Sequence, residues 1–308
     1  MENSFKTPFS IVGIGEILFD NLPSGRRLGG APANFAIHCS LLGAESKVVS
    51  SVGKDACGRE IIEQLKAKGL NTSCISVNEH PTGSVEVKLS PEGHPEYIIN
   101  ENAAWDYISL NRQTLEVAEN CDAVCFGSLA QRNETSRKSI LQFLDAAGKN
   151  CFKVFDVNVR QHYYSKEIIE NSLKLANILK LNDEELNLFQ QMFALKDKKL
   201  KAIDYLLDTF DLELVALTLG DKGSVMVSKD DISLIKAEPA EVKDTVGAGD
   251  CFTAVMVYSL LCRLSIEEAN EFASRAASFV CSQDGATPRL PENILAEMKN
   301  RQKNTLQK

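Results

Sequence analysis

Short continuous apolar runs recur at Phe9–Gly15, Lys47–Gly53, Ala123–Phe126, Phe152–Val157, Ile178–Leu181, Glu213–Thr218 and Ser224–Ser228, and helical patterns separate most of them. A run without polar alternation marks a strand covered on both faces. The intervening patterns lie at Pro32–Leu42, Gly58–Lys68, Glu134–Ala147, Lys166–Ala176 and Glu184–Phe193, and Gly43, Gly69 and Gly148 follow the first three. Proline near a helix start and glycine just past its end is the expected asymmetry. Strand and helix in alternation predict an α/β fold, a parallel sheet with helices on both sides joined by right-handed crossovers. With 308 residues, 44% of them hydrophobic, the chain buries a core without disulfides or a structural metal.

One stretch breaks the rhythm. From Cys74 to Trp105 no helical period survives, whereas Val85, Val87 and Leu89 alternate with Glu86, Lys88 and Ser90. Gly83 and Pro91-Glu92-Gly93 bracket that run, and Tyr97-Ile98-Ile99 follows. This predicts antiparallel strands with one dry face, inserted into the α/β body over a site. Trp105 and Tyr97 fit either that dry face or the wall of a ligand pocket. Beyond Thr245 the pattern is helical, at Gly249–Leu261, Ile266–Cys281 and Glu292–Arg301.

Charge limits the partners. There are 34 basic against 42 acidic residues, a formal net charge of −8, and no basic stretch longer than Lys196–Lys201. Nucleic acid and an anionic membrane surface are therefore excluded as expected partners, and any anionic ligand must be held locally. No stretch reads as a signal peptide or approaches the ~20 apolar residues of a membrane span, so the expectation is a soluble, cytoplasmic protein. The nine cysteines have no Cys-x-x-Cys spacing and fall in apolar patterns, which reads as reduced packing residues. The four histidines, 38, 80, 94 and 162, have no ligand spacing and read as packing residues.

Asp244-Thr245-Val246-Gly247-Ala248-Gly249-Asp250-Cys251-Phe252 stands directly before an apolar helical run. Two glycines around an alanine let successive N–H groups converge, and the helix start adds its positive end, which together would make an anion hole. Asp250, in the first turn, could accept a proton from a hydroxyl attacking phosphorus held there. The same residues also suit a plain glycine-rich turn with Asp250 as a favourable N-terminal carboxylate. A second cluster, Gly29-Gly30-Ala31-Pro32-Ala33-Asn34-Phe35-Ala36, starts a helix whose first turn carries the Asn34 amide, suited to polyol hydroxyls or to a turn. Gly13-Ile14-Gly15-Glu16 lacks the third glycine of a dinucleotide fingerprint, because position 18 is leucine, and there is no Walker lysine motif.

The two clusters, at their spacings, resemble the paired signatures of ribokinase-like carbohydrate kinases of the phosphofructokinase-B type, and the likeness runs from Ile11 to about Thr287. Gly15-Glu16-Ile17-Leu18-Phe19-Asp20, Phe126-Gly127-Ser128-Leu129-Ala130 and Asp156-Val157-Asn158-Val159-Arg160 are most similar to fructokinases, whereas Tyr97-Ile98-Ile99-Asn100-Glu101 departs from the arginine-bearing insert of many of them. The resemblance implies a Rossmann-like parallel-sheet sandwich with a small lid sheet formed by about residues 20–30 and 74–106. It implies Asp250 as catalytic base, with the amides of Gly247, Ala248 and Gly249 stabilising the transferred phosphoryl group. Asp20, Gly29, Gly30, Asn34 and Arg160 would hold the sugar, and Asn182, Thr218, Gly220 and Gly223, with Gly247 and Gly249, the ATP. Glu185 would place Mg²⁺ through water, although Asn182-Asp183-Glu184-Glu185 also reads as a helix cap. Asp244 with Gly285-Ala286-Thr287 resembles a potassium loop.

The expected activity is ATP-dependent phosphorylation of a primary sugar hydroxyl, that of D-fructose to fructose 6-phosphate. The alternatives are a 2-keto-3-deoxygluconate kinase or another sugar kinase of the family, a sugar- or nucleotide-binding sensor without catalysis, and an oxidoreductase, which the broken fingerprint opposes. The exposed edges of the lid predict a homodimer paired through it.

Overall fold

The computed structural model describes residues 8–22, 25–89, 95–196, 198–238 and 241–306. Strands β1 (Ser10–Ile14), β2 (Leu18–Leu22) and β3 (Gly25–Gly29) lead into helix α1 (Ala31–Leu41), then β4 (Glu45–Gly53) and α2 (Ala56–Ala67). Next come β5 (Ile75–Asn78), β6 (Gly83–Leu89), β7 (Pro95–Ile99), α3 (Arg112–Asn120), β8 (Ala123–Phe126), α4 (Glu134–Ala146) and β9 (Phe152–Asp156). The chain continues through α5 (Lys166–Leu175), β10 (Ile178–Asn182), α6 (Asp183–Met192), α7 (Lys199–Phe210), β11 (Leu214–Thr218), β12 (Ser224–Ser228) and β13 (Ile232–Ile235). It finishes in α8 (Ala248–Leu261), α9 (Ile266–Cys281) and α10 (Glu292–Leu306).

The large sheet has the order β13-β12-β11-β10-β9-β8-β1-β4-β5. Its strands are parallel from β5 to β11, as the continuous apolar runs required, and β12 and β13 add antiparallel at one edge. Period-two geometry sends Ile11, Ala123, Cys125, Val154, Ile178 and Ala216 to one face, against α1, α8 and α9. Val12, Val124, Phe155, Leu179 and Val215 go to the other, against α3–α7. α8 is apolar all round and has Cys251–Val257 fully or nearly fully buried, so it is the central helix of its layer. Seven of the nine cysteines are buried, Cys39, Cys125 and Cys251 within this core, in keeping with a packing role.

β1 lies between β4 and β8, the point at which the strand order reverses direction. In open α/β sheets ligands bind beyond the carboxyl ends of strands at such a switch point.

The small sheet has the order β3-β2-β6-β7 and so takes half of its strands from residues 18–29 and half from 83–99. β6 and β7 pair antiparallel, as the alternation predicts. The expected inserted sheet is corrected at Ile75–Asn78, which leaves it and joins β4 in the large sheet, and β6 also pairs with β2, in parallel. The reason is connectivity: β2 follows β1 in the same direction, and the crossover from β5 delivers β6 alongside it. Pro91-Glu92-Gly93 and the side chain of Tyr97 lie outside the described residues. Trp105 is completely buried beneath the sheet, on its dry side rather than in a pocket wall, and the Arg132 guanidinium lies 4.1 Å above its ring. Arg132 also makes two 2.8 Å bonds to buried Asp106, which ties the exit of the small sheet to the body. At its entry, Asp55 accepts from Gly58 N at the start of α2 and from both the N–H and the hydroxyl of Thr82.

Two helices gave no sequence signal. α3 is mostly polar and starts on a capping box of Asn111 and Thr114, and α7 begins in the lysine cluster that reads as a solvated charge run.

Candidate active site

The glycine-rich motif forms the start of α8. Gly247 is its N-cap with φ 79°, and a Cβ there would come within 2.3 Å of the Ala286 carbonyl oxygen, so glycine is required twice over. The Ala248 N–H turns back onto Thr245 O at 3.3 Å. Those of Gly249 and Asp250 have no intrahelical partner by the geometry of a helix start and are available to an anion.

The side chain of Asn34, in the first turn of α1, donates to Asp250 Oδ2 at 2.8 Å. That bond joins the two sequence clusters, 216 residues apart, across one cavity of about 480 Å³. Its lining includes Asp20, Gly29, Gly30, Asn34, Arg160 and Asp250, all the residues expected to hold the sugar together with the expected base. Leu18, Val85 and Ile99 of the small sheet close it from above, which makes that sheet a cover. Burial, followed by the Asp156 carboxylate, pushes Asp250 up to about 6, against the Asn34 hydrogen bond and the charges of Lys180 and Arg160. Burial also raises Asp20, with Arg160 opposing it. Arg160 projects from a loop whose flanking Asn158 and Gln161 both take left-handed backbone conformations, with φ of 41° and 50°.

A second cavity of about 280 Å³, mostly apolar, adjoins the first and shares Asn182, Thr218, Thr245 and Gly249 with it. Its wall also includes Gly220, Gly223, Ala248, Phe252, Ala277 and Cys281, with three serines among the remainder. Gly220 and Gly223 flank the tight connection between antiparallel β11 and β12, so the Gly-Asp-Lys-Gly turn is both a hairpin and part of a ligand wall. The start of α8 thus sits where a polar chamber and an apolar one meet.

One group that sequence reasoning missed stands at this junction. Lys180, inside the apolar run of β10, is 7% exposed, and its Nζ lies 3.0 Å from Asp156 Oδ1 and 3.1 Å from where a Gly249 Cβ would be. The Thr253 hydroxyl donates to the other Asp156 oxygen at 2.8 Å. Burial alone would lower Lys180, but Asp156, Glu185 and Asp250 outweigh it, so its pKa is raised and the ammonium persists. The available signal was a lysine in a run otherwise buried on both faces, since a buried charge demands a partner or a ligand.

The two carboxylates expected to serve metals are both engaged by protein groups. Glu185 forms the capping box of α6, with Oε2 accepting from Asn182 N at 2.8 Å and Oε1 from Val159 N at 3.0 Å, and it lines neither cavity. Asp244 Oδ2 is 3.1 Å from Arg27 Nη1, its Oδ1 accepts from Val246 N, and the Ala286 carbonyl of the expected potassium loop is paired with His38 Nε2 at 3.0 Å. Among the described residues no cluster of three or more His, Cys, Asp or Glu could cage a metal, and no helix is long and apolar enough to cross a membrane.

A family model described as pfkB family carbohydrate kinase matches residues 24–293. A protein of Pyrococcus horikoshii that bears the name "Putative sugar kinase" is 30% identical over 305 residues, covering 92% of this chain and 94% of its own. The crystal structure of that protein in complex with ATP superposes with a TM-score of 0.78 at 26% identity, covering 95% of this chain and 99% of its own. Fructokinase-2 of Oryza sativa subsp. japonica is 27% identical over 318 residues, covering 94% and 93%. The 5-dehydro-2-deoxygluconokinase of Clostridium botulinum is 26% identical over 321 residues, covering 94% of each.

Proposed function

This chain belongs to the pfkB family of carbohydrate kinases, and we propose that it transfers the γ-phosphoryl group of ATP to a primary sugar hydroxyl, that of D-fructose at its 6-position. The observation that carries the reading is the junction of the two chambers at the start of α8, where Asp250 faces the polar chamber and the apolar chamber fits a nucleoside.

Asn34 holds Oδ2 of Asp250 and leaves Oδ1 to the substrate hydroxyl. Asp250 takes the hydroxyl proton as that oxygen attacks phosphorus, and ADP departs toward the apolar chamber. Charge spreading over the transferred group meets the N–H groups of Gly247 and Gly249, the end of α8 and the Lys180 ammonium. The Ala248 N–H joins them once its long bond to Thr245 opens. Asp20, Gly29, Gly30 and Arg160 hold the sugar, and Asn182, Thr218, Gly220 and Gly223 hold the nucleotide. Closure of the small sheet keeps water from the phosphoryl group.

A magnesium ion that arrives with the phosphates would keep most of its water and need no protein cage, and Glu185, whose oxygens are held by Asn182 N and Val159 N outside both cavities, would act on that ion only through intervening water. When bound, the ion neutralises charge on the phosphates. The small sheet ends in β3 on one side and β7 on the other, and edge strands favour pairing of two chains through their lids.

Arg160 supports a second reading. Its guanidinium lines the polar chamber without a carboxylate ion pair among the described residues, and a sugar acid such as 2-keto-3-deoxygluconate would supply one. A kinase assay over a sugar panel tests both. A kcat/KM for fructose at least ten-fold above that for 2-keto-3-deoxygluconate bears out the first, and the reverse order establishes the second. ATP turnover with none of the sugars, despite binding of both ligands, would leave a sensor.

A further inference from the structure

Nine side chains have a buried polar atom without a hydrogen-bond partner among the described residues, and two of them, Asn34 and Glu16, line the polar chamber. Asn34 is the amide whose Nδ2 holds Asp250 while its Oδ1 is left open. Glu16 shows the same pattern. Its Oε1 accepts from Ala31 N, at the first turn of α1, at 3.3 Å, and its Oε2 accepts nothing.

A carboxylate at a helix N-terminus is favourable, but that role needs one oxygen and little burial. Glu16 is 3% exposed. A buried carboxyl oxygen with no donor is a cost to folding that a ligand donor can remove. The backbone is arranged to keep it there. Glu16 follows Gly15 at the end of β1, and Gly30 lies so near that a Cβ on it would fall 2.5 Å from the Glu16 carbonyl oxygen. Burial raises the carboxyl to about 7, opposed by its own backbone N–H, by Arg160 from the loop after β9 and by the Ala31 N–H, while Asp250 from α8 adds to the rise. The small sheet presents Leu18, Val85 and Ile99 to the chamber together with the Asp20 carboxyl of β2, and Glu16 is the carboxyl at the carboxyl end of β1.

We propose that Glu16 is a substrate-binding residue that takes, on Oε2, a hydroxyl of the acceptor other than the one phosphorylated, and so makes this site selective for polyhydroxylated sugars over their deoxy analogues. The inference rests on the kinase reading above. It adds a second carboxyl to Asp20 in the sugar chamber, while Asp250 remains the base.

The test is Glu16→Gln, assayed with the best sugar of the panel and with its deoxy analogues. Gln retains an acceptor for Ala31 N–H but replaces the open oxygen by a donor. The expected result is a KM for sugar raised about ten-fold or more, with kcat and the KM for ATP within about three-fold of wild type. One deoxy analogue should lose affinity in the wild type and lose no more in the variant, which identifies the hydroxyl. Unchanged sugar KM, or equal sensitivity of both proteins to every analogue, overturns the proposal. So does a variant whose only defect is a lower melting temperature. If Glu16→Gln does not fold, Glu16→Asp, which keeps the carboxylate and withdraws it by one methylene, carries the same comparison. A wild type without sugar-dependent turnover would instead count against the kinase reading itself.

Discussion

Asp250→Asn should slow the enzyme and stabilise it. The carboxyl is held near pKa 6 rather than at its ordinary 3.8, chiefly by burial and by Asp156. At 1.36 kcal/mol per pH unit the ionised form is disfavoured in the fold by up to about 3 kcal/mol, and solvent in the open chamber screens this toward about 2 kcal/mol. The sign follows from proton binding. A raised carboxyl pKa means that the folded state holds its proton more tightly, so the penalty is absent below the unfolded pKa and complete above the folded one. Asparagine is neutral throughout and still offers Oδ1 to the Asn34 amide. In urea titrations without nucleotide, the variant should therefore match wild type below about pH 4 and exceed it by about 2–3 kcal/mol above pH 7. In a chain of 308 residues that gain is worth roughly 3–5 °C in Tm. Sugar-dependent kcat should fall by at least about 100-fold, and the rise of wild-type kcat/KM through about pH 6 should vanish. A variant that retains most of its turnover refutes the role of Asp250 as base. Equal stability of the two proteins at pH 7.5 refutes the account of its environment.

Lys180→Met leaves Asp156 buried and facing Asp250 and Glu185 without their shared cation, so it should cost about 3–5 kcal/mol in denaturant unfolding. Lys180→Met combined with Asp156→Asn should recover most of that stability but not the loss in kcat. Recovery of both would make Lys180 a brace and not an electrophile. Gly247→Ala should lower kcat/KM by about 100-fold or more, because its Cβ cannot sit 2.3 Å from the Ala286 oxygen and the backbone there is left-handed. A near-normal kcat/KM in that variant would sink the anion hole.

What was legible in the sequence and what was not divides along physical lines. Apolar runs without alternation announced a parallel sheet because burial on both faces removes the polar half of the pattern. Gly247–Asp250 and Gly29–Asn34 were visible because close backbone approach and first-turn chemistry restrict residue type. The pairing of β2 with β6 in the small sheet was not visible: the residues of β2 and β6 favour a strand but do not state which neighbour it takes or in which direction. The polar helix α3 escaped because its cap, and not its periodicity, defines it. Asp244 was read from its neighbours in the motif, whereas its partner, Arg27, arrives from a strand 217 residues away.

The charge of the chain shows why Lys180 mattered most among the residues overlooked. A protein at −8 that places Glu16, Asp20, Asp156, Glu185 and Asp250 in or around one cleft would repel a nucleoside triphosphate if those carboxylates acted alone. Backbone N–H groups supply partial charges, and Arg160 stands in the wall of the polar chamber. Lys180 is the full positive charge at the junction itself, kept ionised by the same carboxylates whose field it cancels. Its partner Asp156 is also held by Thr253 of α8, so Lys180 and the start of α8, which carries Asp250, are positioned as one unit. In the proposed mechanism Asp156 and Glu185 would serve catalysis indirectly by keeping Lys180 ionised, while Asp250's own burial, followed by Asp156, raises it toward a base competent near neutral pH.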